Sequence, residues 1–447
     1  MELSASLERD LRDVGRELAA RFPPRARHPV RALDAKAMEL SSQDAELRAA
    51  LFRFVDVTPA CRSLDDLARH LAGYLEEVGE KPPPLRAAMK MAETRAGRTA
   101  LGAAAAAGVR HMAHRFIVGD TPRAAVGELR SMWREGIAAS LDLLGEATVT
   151  EAEADRYAAR CGDALDELAR AYEKVPAREQ LEHDSIGRLP RANLSVKVSA
   201  LTPLMRPEAP ELGRDDAALR LRPLLEQAHE RGVHLHIDME SVDALETTFE
   251  LVFGLLDEPA LRDGPSAGVV LQAYLRESPR HLDRILEWAR TSDRPQPLVV
   301  RLVKGAYWDH EVVEARQHGW NPPVFEEKAD CDRNFEDLTR RLLDARPLVR
   351  VAVGSHNLRS VAHAIAYNRA TGGEDRNLEL QVLRGLGDDL GGALAASGLR
   401  VRAYCPVGEL VAGMAYLVRR LLENTSNESF LHEQSRGAPL DELLAAP

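Results

Sequence analysis

The amino-acid sequence predicts an α/β fold: a (β/α)8 barrel with a C-terminal helix over residues 116–447, preceded by a helical arm and helical domain over 1–115. Three observations lead there. From about residue 116, short β-rich runs alternate with amphipathic helical stretches. The runs number eight, and strand–helix alternation implies right-handed crossovers and a parallel sheet, which eight strands can close into a barrel. Polar and charged side chains gather at the C-terminal ends of these runs, where the loops of a barrel form its open face.

Residues 1–115 alternate apolar and charged positions at helical spacing, broken by Pro23 and Pro24, Pro59, and the triplet Pro82, Pro83, Pro84. The Ala-rich piece 100–107 suits a helix that packs through small residues. The expected strands are 138–143, 193–199, 234–238, 269–274, 298–304, 349–353, 378–383 and 400–404. Helix ends fall between them. Thr150 and Glu153 form a capping box, Ser278 and Pro279 read as N-cap and first helical residue, and Gly232 and Gly398 follow helix ends.

Composition excludes several classes. A 447-residue chain with a net charge of -11 lacks the basic surface that phosphate contacts need. The basic stretch 21–31 is interrupted by prolines and reads as an exposed turn or linker, so no nucleic-acid partner is expected. Cys61, Cys161, Cys331 and Cys405 are far apart and suggest neither a zinc ribbon nor a disulfide framework. No apolar stretch approaches a membrane span, so the expected location is cytoplasmic, with at most a peripheral contact on the inner membrane face.

The segment from Arg301 to Trp308 (RLVKGAYW) is the most informative stretch, because Arg301 interrupts an otherwise apolar strand. Gly305 permits close backbone approach, Lys304 can meet phosphate, and Tyr307 and Trp308 offer flat faces to a ring system. The structural alternative is a strand end with a snorkelling arginine and a packed tryptophan. Other strand ends carry Asp142 and Glu146, Lys197, Asp238, Gln272, Ser355 with His356 and Asn357, Arg384, and Tyr404. Each alone has a packing explanation, but buried charges need partners, and together they point to one shared site. A rival reading uses His234, His236 and Asp238, which fall on one strand face and suit a metal-dependent barrel hydrolase. Gly385, Gly387, Gly391 and Gly392 after the seventh strand fit either a phosphate cradle or a tight turn. Arg419, Arg420 and Glu423 read as a surface ion pair or as a bidentate clamp for a small carboxylate.

Taken together, LDLLGEA at 141–147, SVKVSAL at 195–201, RLVKGAYWD at 301–309, SHN at 355–357 and YLVRRLLEN at 416–424 resemble the proline dehydrogenase domain of bacterial proline utilization A flavoenzymes. The resemblance covers roughly 142–430 and extends more weakly into the helical region. It implies a distorted, TIM-like (β/α)8 barrel holding FAD noncovalently. It further implies oxidation of L-proline to 1-pyrroline-5-carboxylate by hydride transfer to flavin N5, with electrons passed to a quinone. The residues expected at FAD are Gln272, Arg301, Val303, Lys304, Gly305, Ala306, Trp308, Ser355, His356, Asn357, Leu383 and Glu423, with Arg301 near N5 and Trp308 near the adenine. Those expected around proline are Lys197, Asp238, Tyr307, Tyr404, Arg419 and Arg420, with Glu146 gating through Arg419 and Asp142 in the same cluster. Arg301, Lys197, Asp238 and Tyr404 carry the catalytic expectation, and no metal is implied. Ser355 replaces the threonine of close relatives, and Glu326–Glu327 replace an expected Thr-Arg pair. Longer relatives add an aldehyde dehydrogenase domain, to which product could be handed, and some add a DNA-binding module. This chain is expected to reduce a dye or quinone analogue with proline, yet neither to reduce NAD with the product nor to bind duplex DNA.

Overall fold

A computed structural model describes residues 2–23, 44–79, 83–145, 148–409, 413 and 437–447. The chain forms two compact units. One comprises 1–22, 122–407 and 439–447, and the other 23–121 and 408–438. This division assigns the first helix and the last residues to the barrel unit, and so differs from a single boundary near residue 115.

In the barrel unit, β1 (Ile137–Leu143), β2 (Asn193–Lys197), β3 (His234–Asp238), β4 (Ala267–Gln272), β5 (Leu298–Val303), β6 (Val349–Gly354), β7 (Leu378–Leu383) and β8 (Arg400–Val407) pair in parallel, in sequence order. β8 closes on β1, with Ser140 opposite Tyr404. All eight expected strands are present, with ends shifted by a few residues. β2 stops at Lys197 because Val198–Ala200 turns into a 3-10 helix, and β8 runs on to Val407 along β1. The capping box of Thr150 and Glu153 forms, and Gly232 takes a left-handed φ of 63° after its helix. Ser278 is itself the first helical residue instead of the cap, because its hydroxyl donates to Leu275 O at 2.7 Å.

Period two sorts the strand residues onto two faces. Leu141, Leu194, Ile237, Val269, Leu271, Val300, Leu302, Val351, Leu380 and Val382 are buried on the apolar face. The opposite face, lining the barrel, carries a polar ladder. Near the strand starts, Arg350 Nε pairs with Asp184 at 2.8 Å, and Arg402 Nε and Nη2 grip Glu379 at 2.9 and 3.1 Å. Arg400 lies 3.6 Å from Asp184 and 3.8 Å from Glu379. These side chains are all buried, so removing any one leaves its partner desolvated.

The helix Glu2–Ala20 belongs to this unit through Arg359, which donates to Glu8 Oε1 at 2.9 Å, Glu336 Oε1 at 2.8 Å and Leu444 O at 2.8 Å. In the second unit, helices Leu64–Glu76 and Arg95–Phe116 meet where Gly102 has no side chain: a Cβ there would lie 1.9 Å from Leu64 O. The small-residue packing expected of 100–107 is thus carried by Gly102. Among the described residues, no helix is long and apolar enough to cross a membrane.

Burial works to raise the Glu379 pKa, but Arg402 and Arg400 outweigh it and bring it from 4.5 down to about 2. The unfolded chain therefore binds this proton more tightly. The stabilisation is complete above about 4.5 and is lost as the pH falls through about 2. Urea unfolding of wild type and Glu379→Gln across acid pH should show a stability gap that narrows in this window. A gap independent of pH would remove Glu379 from the acid response.

Candidate active site

Period two aims Ser140 and Asp142 of β1, Ser195 and Lys197 of β2, Asp238 of β3, Gln272 of β4, Arg301 of β5 and Tyr404 of β8 into the barrel near its C-terminal mouth. Asp238 is the hub. Its Oδ1 accepts from Arg301 Nη1 at 2.8 Å, and its Oδ2 accepts from the Tyr404 hydroxyl at 2.7 Å. Lys197 Nζ lies 3.6 Å from Asp238 Oδ2 and donates to Asp142 Oδ1 at 2.5 Å. Burial opposes the Lys197 charge, but Asp142, Tyr404 and Asp238 outweigh it and hold its pKa well above the usual value. Burial pushes the Tyr404 phenol well up, and Asp142 and Asp238 add to the effect, so it stays a neutral donor. Burial, opposed by Lys197, raises the Asp142 carboxyl above its usual value, and two basic and two acidic side chains thus meet in a nearly dry space. The Arg301 guanidinium also sits 5.4 Å from the Tyr404 ring centroid.

A layer of neutral groups supports Arg301 from below. Its Nη2 donates to Ser195 Oγ at 3.2 Å and Ser140 Oγ at 3.4 Å, while Ser140 donates to Asn193 Oδ1 at 2.7 Å. Among the described residues, the buried atoms without a hydrogen-bond partner near the mouth include Arg301 Nε, a donor, and Gln272 Oε1, an acceptor, with the Tyr274 hydroxyl beside the rim. The Gln272 amide nitrogen donates to Glu240 O at 3.0 Å, which fixes how the side chain lies.

Around the rim, Gly305 has φ 143°, and a Cβ there would fall 2.4 Å from the Tyr274 ring, so glycine is required by packing as well as conformation. Val303 ends β5, and Gly305 and Ala306 lead on from it to Tyr307, which caps the helix Trp308–His318. Lys304 and Lys328 both pair with Asp332, the latter at 2.9 Å. Trp308 Nε1 donates to Phe325 O at 2.9 Å and leaves part of the ring exposed. After β6, Ser355 Oγ accepts from Asn357 N at 3.1 Å, and Asn357 Oδ1 caps the next helix through Ser360 N at 3.2 Å. His356 Nε2 accepts from Leu383 N at 2.8 Å, which ties the ends of β6 and β7 together. Glu146, Arg419, Arg420 and Glu423 lie outside the described residues.

One sequence reading changes here, and two that were left open gain local partners. Arg384 does not join the cluster: it pairs with Glu128 at 2.6 Å and Asp388 at 3.0 Å. The glycine-rich stretch after β7 is a turn, with Asp388 Oδ1 accepting from Gly385 N at 2.9 Å. His234 and His236 bond each other at 3.2 Å, and His234 also meets Ser266 Oγ at 2.8 Å, so their ring nitrogens do not converge with carboxylates on a common point. Burial, with Arg402 nearby, lowers His234 to about 3 and keeps it neutral. The hydroxyls of Ser140 and Ser195 were not singled out from the sequence, although period two places them one step before Asp142 and Lys197.

A closed parallel barrel with both signs of charge clustered at the C-terminal mouth places them where barrels of this architecture carry their sites. The family model described as proline dehydrogenase matches residues 125–433, and that described as the proline utilization A N-terminal domain matches 8–116. The chain belongs to the proline dehydrogenase family. It is 32% identical over 350 residues to the bifunctional protein PutA of Salmonella typhimurium, covering 76% of this chain and 25% of that protein. It is 29% identical over 322 residues to the proline dehydrogenase of Deinococcus radiodurans, covering 72% of this chain and 89% of that one. Among solved structures, proline utilization A from Bdellovibrio bacteriovorus inactivated by N-propargylglycine matches with a TM-score of 0.89 and 34% identity, over 98% of this chain and 44% of that chain. The Bradyrhizobium japonicum protein matches with a TM-score of 0.75 and 26% identity, over 100% of this chain and 46% of that chain. This chain therefore spans about a quarter of the bifunctional relative and under half of the solved chains.

Asp238→Ala removes the acceptor shared by Arg301 and Tyr404 and unbalances the buried charge. Unfolding free energy should fall by about 3–5 kcal/mol, the range for breaking one side of a buried pair. A loss below about 1 kcal/mol in urea titrations would show the cluster to be solvated like a surface pair.

Proposed function

We propose that the chain oxidises L-proline to 1-pyrroline-5-carboxylate with noncovalently bound FAD, and that the electrons pass on to a quinone. The observation that carries this reading is the pair of orphaned buried atoms at the mouth, Arg301 Nε and Gln272 Oε1. Buried polar atoms without partners are rare in native proteins, and one donor with one acceptor suits a polar ring system that is itself both. Family membership supports the substrate, and the fit of donor and acceptor supports the flavin.

FAD held there would supply the acceptor for the hydride that leaves proline C5. The chain supplies position and field. Gln272 and Arg301 would hold the ring system from adjacent strands, with Val303, Lys304, Gly305, Ala306, Trp308, Ser355, His356, Asn357, Leu383 and Glu423 completing the cofactor contacts. Arg301, held by Asp238, can stabilise negative charge arriving near it. Lys197, Asp238, Tyr307 and Tyr404 would enclose the proline ring, Asp142 would keep Lys197 charged, and Arg419 and Arg420 would pair with the substrate carboxylate, gated by Glu146. A quinone acceptor implies reach to a membrane surface. The product would pass to an aldehyde dehydrogenase domain or protein.

Purified protein should carry a yellow chromophore that anaerobic proline bleaches; colourless protein that cannot be reconstituted with FAD would sink the proposal. Tyr404→Ser should narrow the preference for proline over 4-hydroxyproline, because a phenol held by Asp238 leaves little room for a second hydroxyl. An unchanged ratio of kcat/KM values would take Tyr404 away from the substrate ring.

A further inference from the structure

Cys61, Asp66 and His70 meet in the helical unit, outside the strand-end site. Helix Leu64–Glu76 starts at Ser63, whose hydroxyl accepts from Asp66 N at 3.1 Å. Asp66 thus stands in the first turn, and His70 follows one turn later on the same face. The preceding chain folds back over that face. Thr58–Ala60 makes one 3-10 turn, Cys61 N donates to Thr58 O at 3.2 Å, and Arg62 N donates to Asp66 Oδ2 at 3.1 Å. A thiol sulfur, a carboxylate oxygen and an imidazole nitrogen then lie within 4.8 Å of one another.

We propose that Cys61, Asp66 and His70 form a three-ligand site for a borderline divalent cation of the zinc class, with water in the fourth position. Bond lengths of about 2.0–2.3 Å in a tetrahedral centre put donor atoms roughly 3.3–3.8 Å apart, so small rotations of part-exposed side chains complete the set. The Asp66 to His70 separation, 3.8 Å, already falls there. Other histidine–carboxylate pairs in this chain span 3.0 to 3.7 Å, so the separation alone is not distinctive. What sets this pair apart is the third donor, since among the described residues none of His183–Glu179, His310–Glu314, His281–Glu246 and His363–Glu336 belongs to a three-donor group. The Cys61 thiol donates to Val57 O at 3.5 Å, so metal binding must release this proton to solvent; the resulting thiolate and the Asp66 carboxylate then carry two negative charges, which one divalent cation neutralises. Sulfur and imidazole donors select against magnesium and calcium, which prefer oxygen. The site clips the 58–63 turn to the first helical turns, so occupancy stabilises this part of the fold by mass action.

The test uses the full chain, free of a polyhistidine tag and stripped of metal, titrated with Co2+. A thiolate-to-cobalt charge-transfer band and tetrahedral visible bands should saturate at a single equivalent, and Zn2+ should displace them. Cys61→Ser should abolish the charge-transfer band. His70→Ala, or Asp66→Asn should that variant fail to fold, should weaken cobalt binding roughly tenfold or more, since even outer-shell changes cost that much. Absence of the band in wild type, its survival in Cys61→Ser, or unchanged affinity in the ligand variants overturns the proposal.

Discussion

The Asp238 carboxylate is the interaction on which the mouth of the barrel depends. It holds Arg301 through one oxygen and Tyr404 through the other, and it shares Lys197 with Asp142. Each of these side chains comes from a different strand, so the hub makes strand order and register a condition of electrostatic balance. A strand slipped by one residue would turn its member away from the cluster and leave a desolvated charge behind. The polar interior thereby acts against alternative pairings as well as creating a site.

The same logic extends down the barrel. Barrels of this architecture usually fill their interiors with branched aliphatic side chains. Here the aliphatic residues sit on the other strand face, and the interior carries Arg350, Arg400, Arg402, Glu379, Gln381, Asn193 and the two histidines, all buried. Arg402 grips Glu379 with two nitrogens and also donates to Ala139 O at 2.9 Å, so it links β7, β8 and β1 at the seam where the barrel closes. An interior held by directional bonds suits a site in which distances must be kept within narrow limits.

Among the described residues, hydrogen-bonding capacity is left unused at both levels of the barrel interior: at the base in Arg400 Nε and Nη1, whose carboxylates lie 3.6 and 3.8 Å away, and at the mouth in Arg301 Nε and Gln272 Oε1. Unused capacity in a buried position carries a desolvation penalty, which a ligand offering the complementary groups removes on binding. The serine hydroxyls beneath Arg301 keep the guanidinium from rotating to satisfy that capacity internally.

All eight strands were legible in the sequence because each is a short apolar run whose period-two partners are polar, and because glycines and caps punctuate the helices between them. That Asp142, Lys197, Asp238, Arg301 and Tyr404 would share one cluster was legible too, since charge cannot be buried singly, whereas Ser355, His356 and Asn357 bond within their own turn and to β7. Arg384 shows the limit: it stands at a strand end like the others, yet it leaves the mouth to pair with Glu128, which is 256 positions away in sequence and invisible to local reading. The histidines of β3 show it again, for their spacing allowed a metal, and their bonds to each other and from His234 to Ser266 became visible once the barrel closed. Local sequence determined the elements, the faces and the residue types, because backbone periodicity and capping are short-range. Which charge meets which, and which atoms are left wanting a partner, was decided by closure of the barrel, because those distances are set by contacts between residues far apart along the chain.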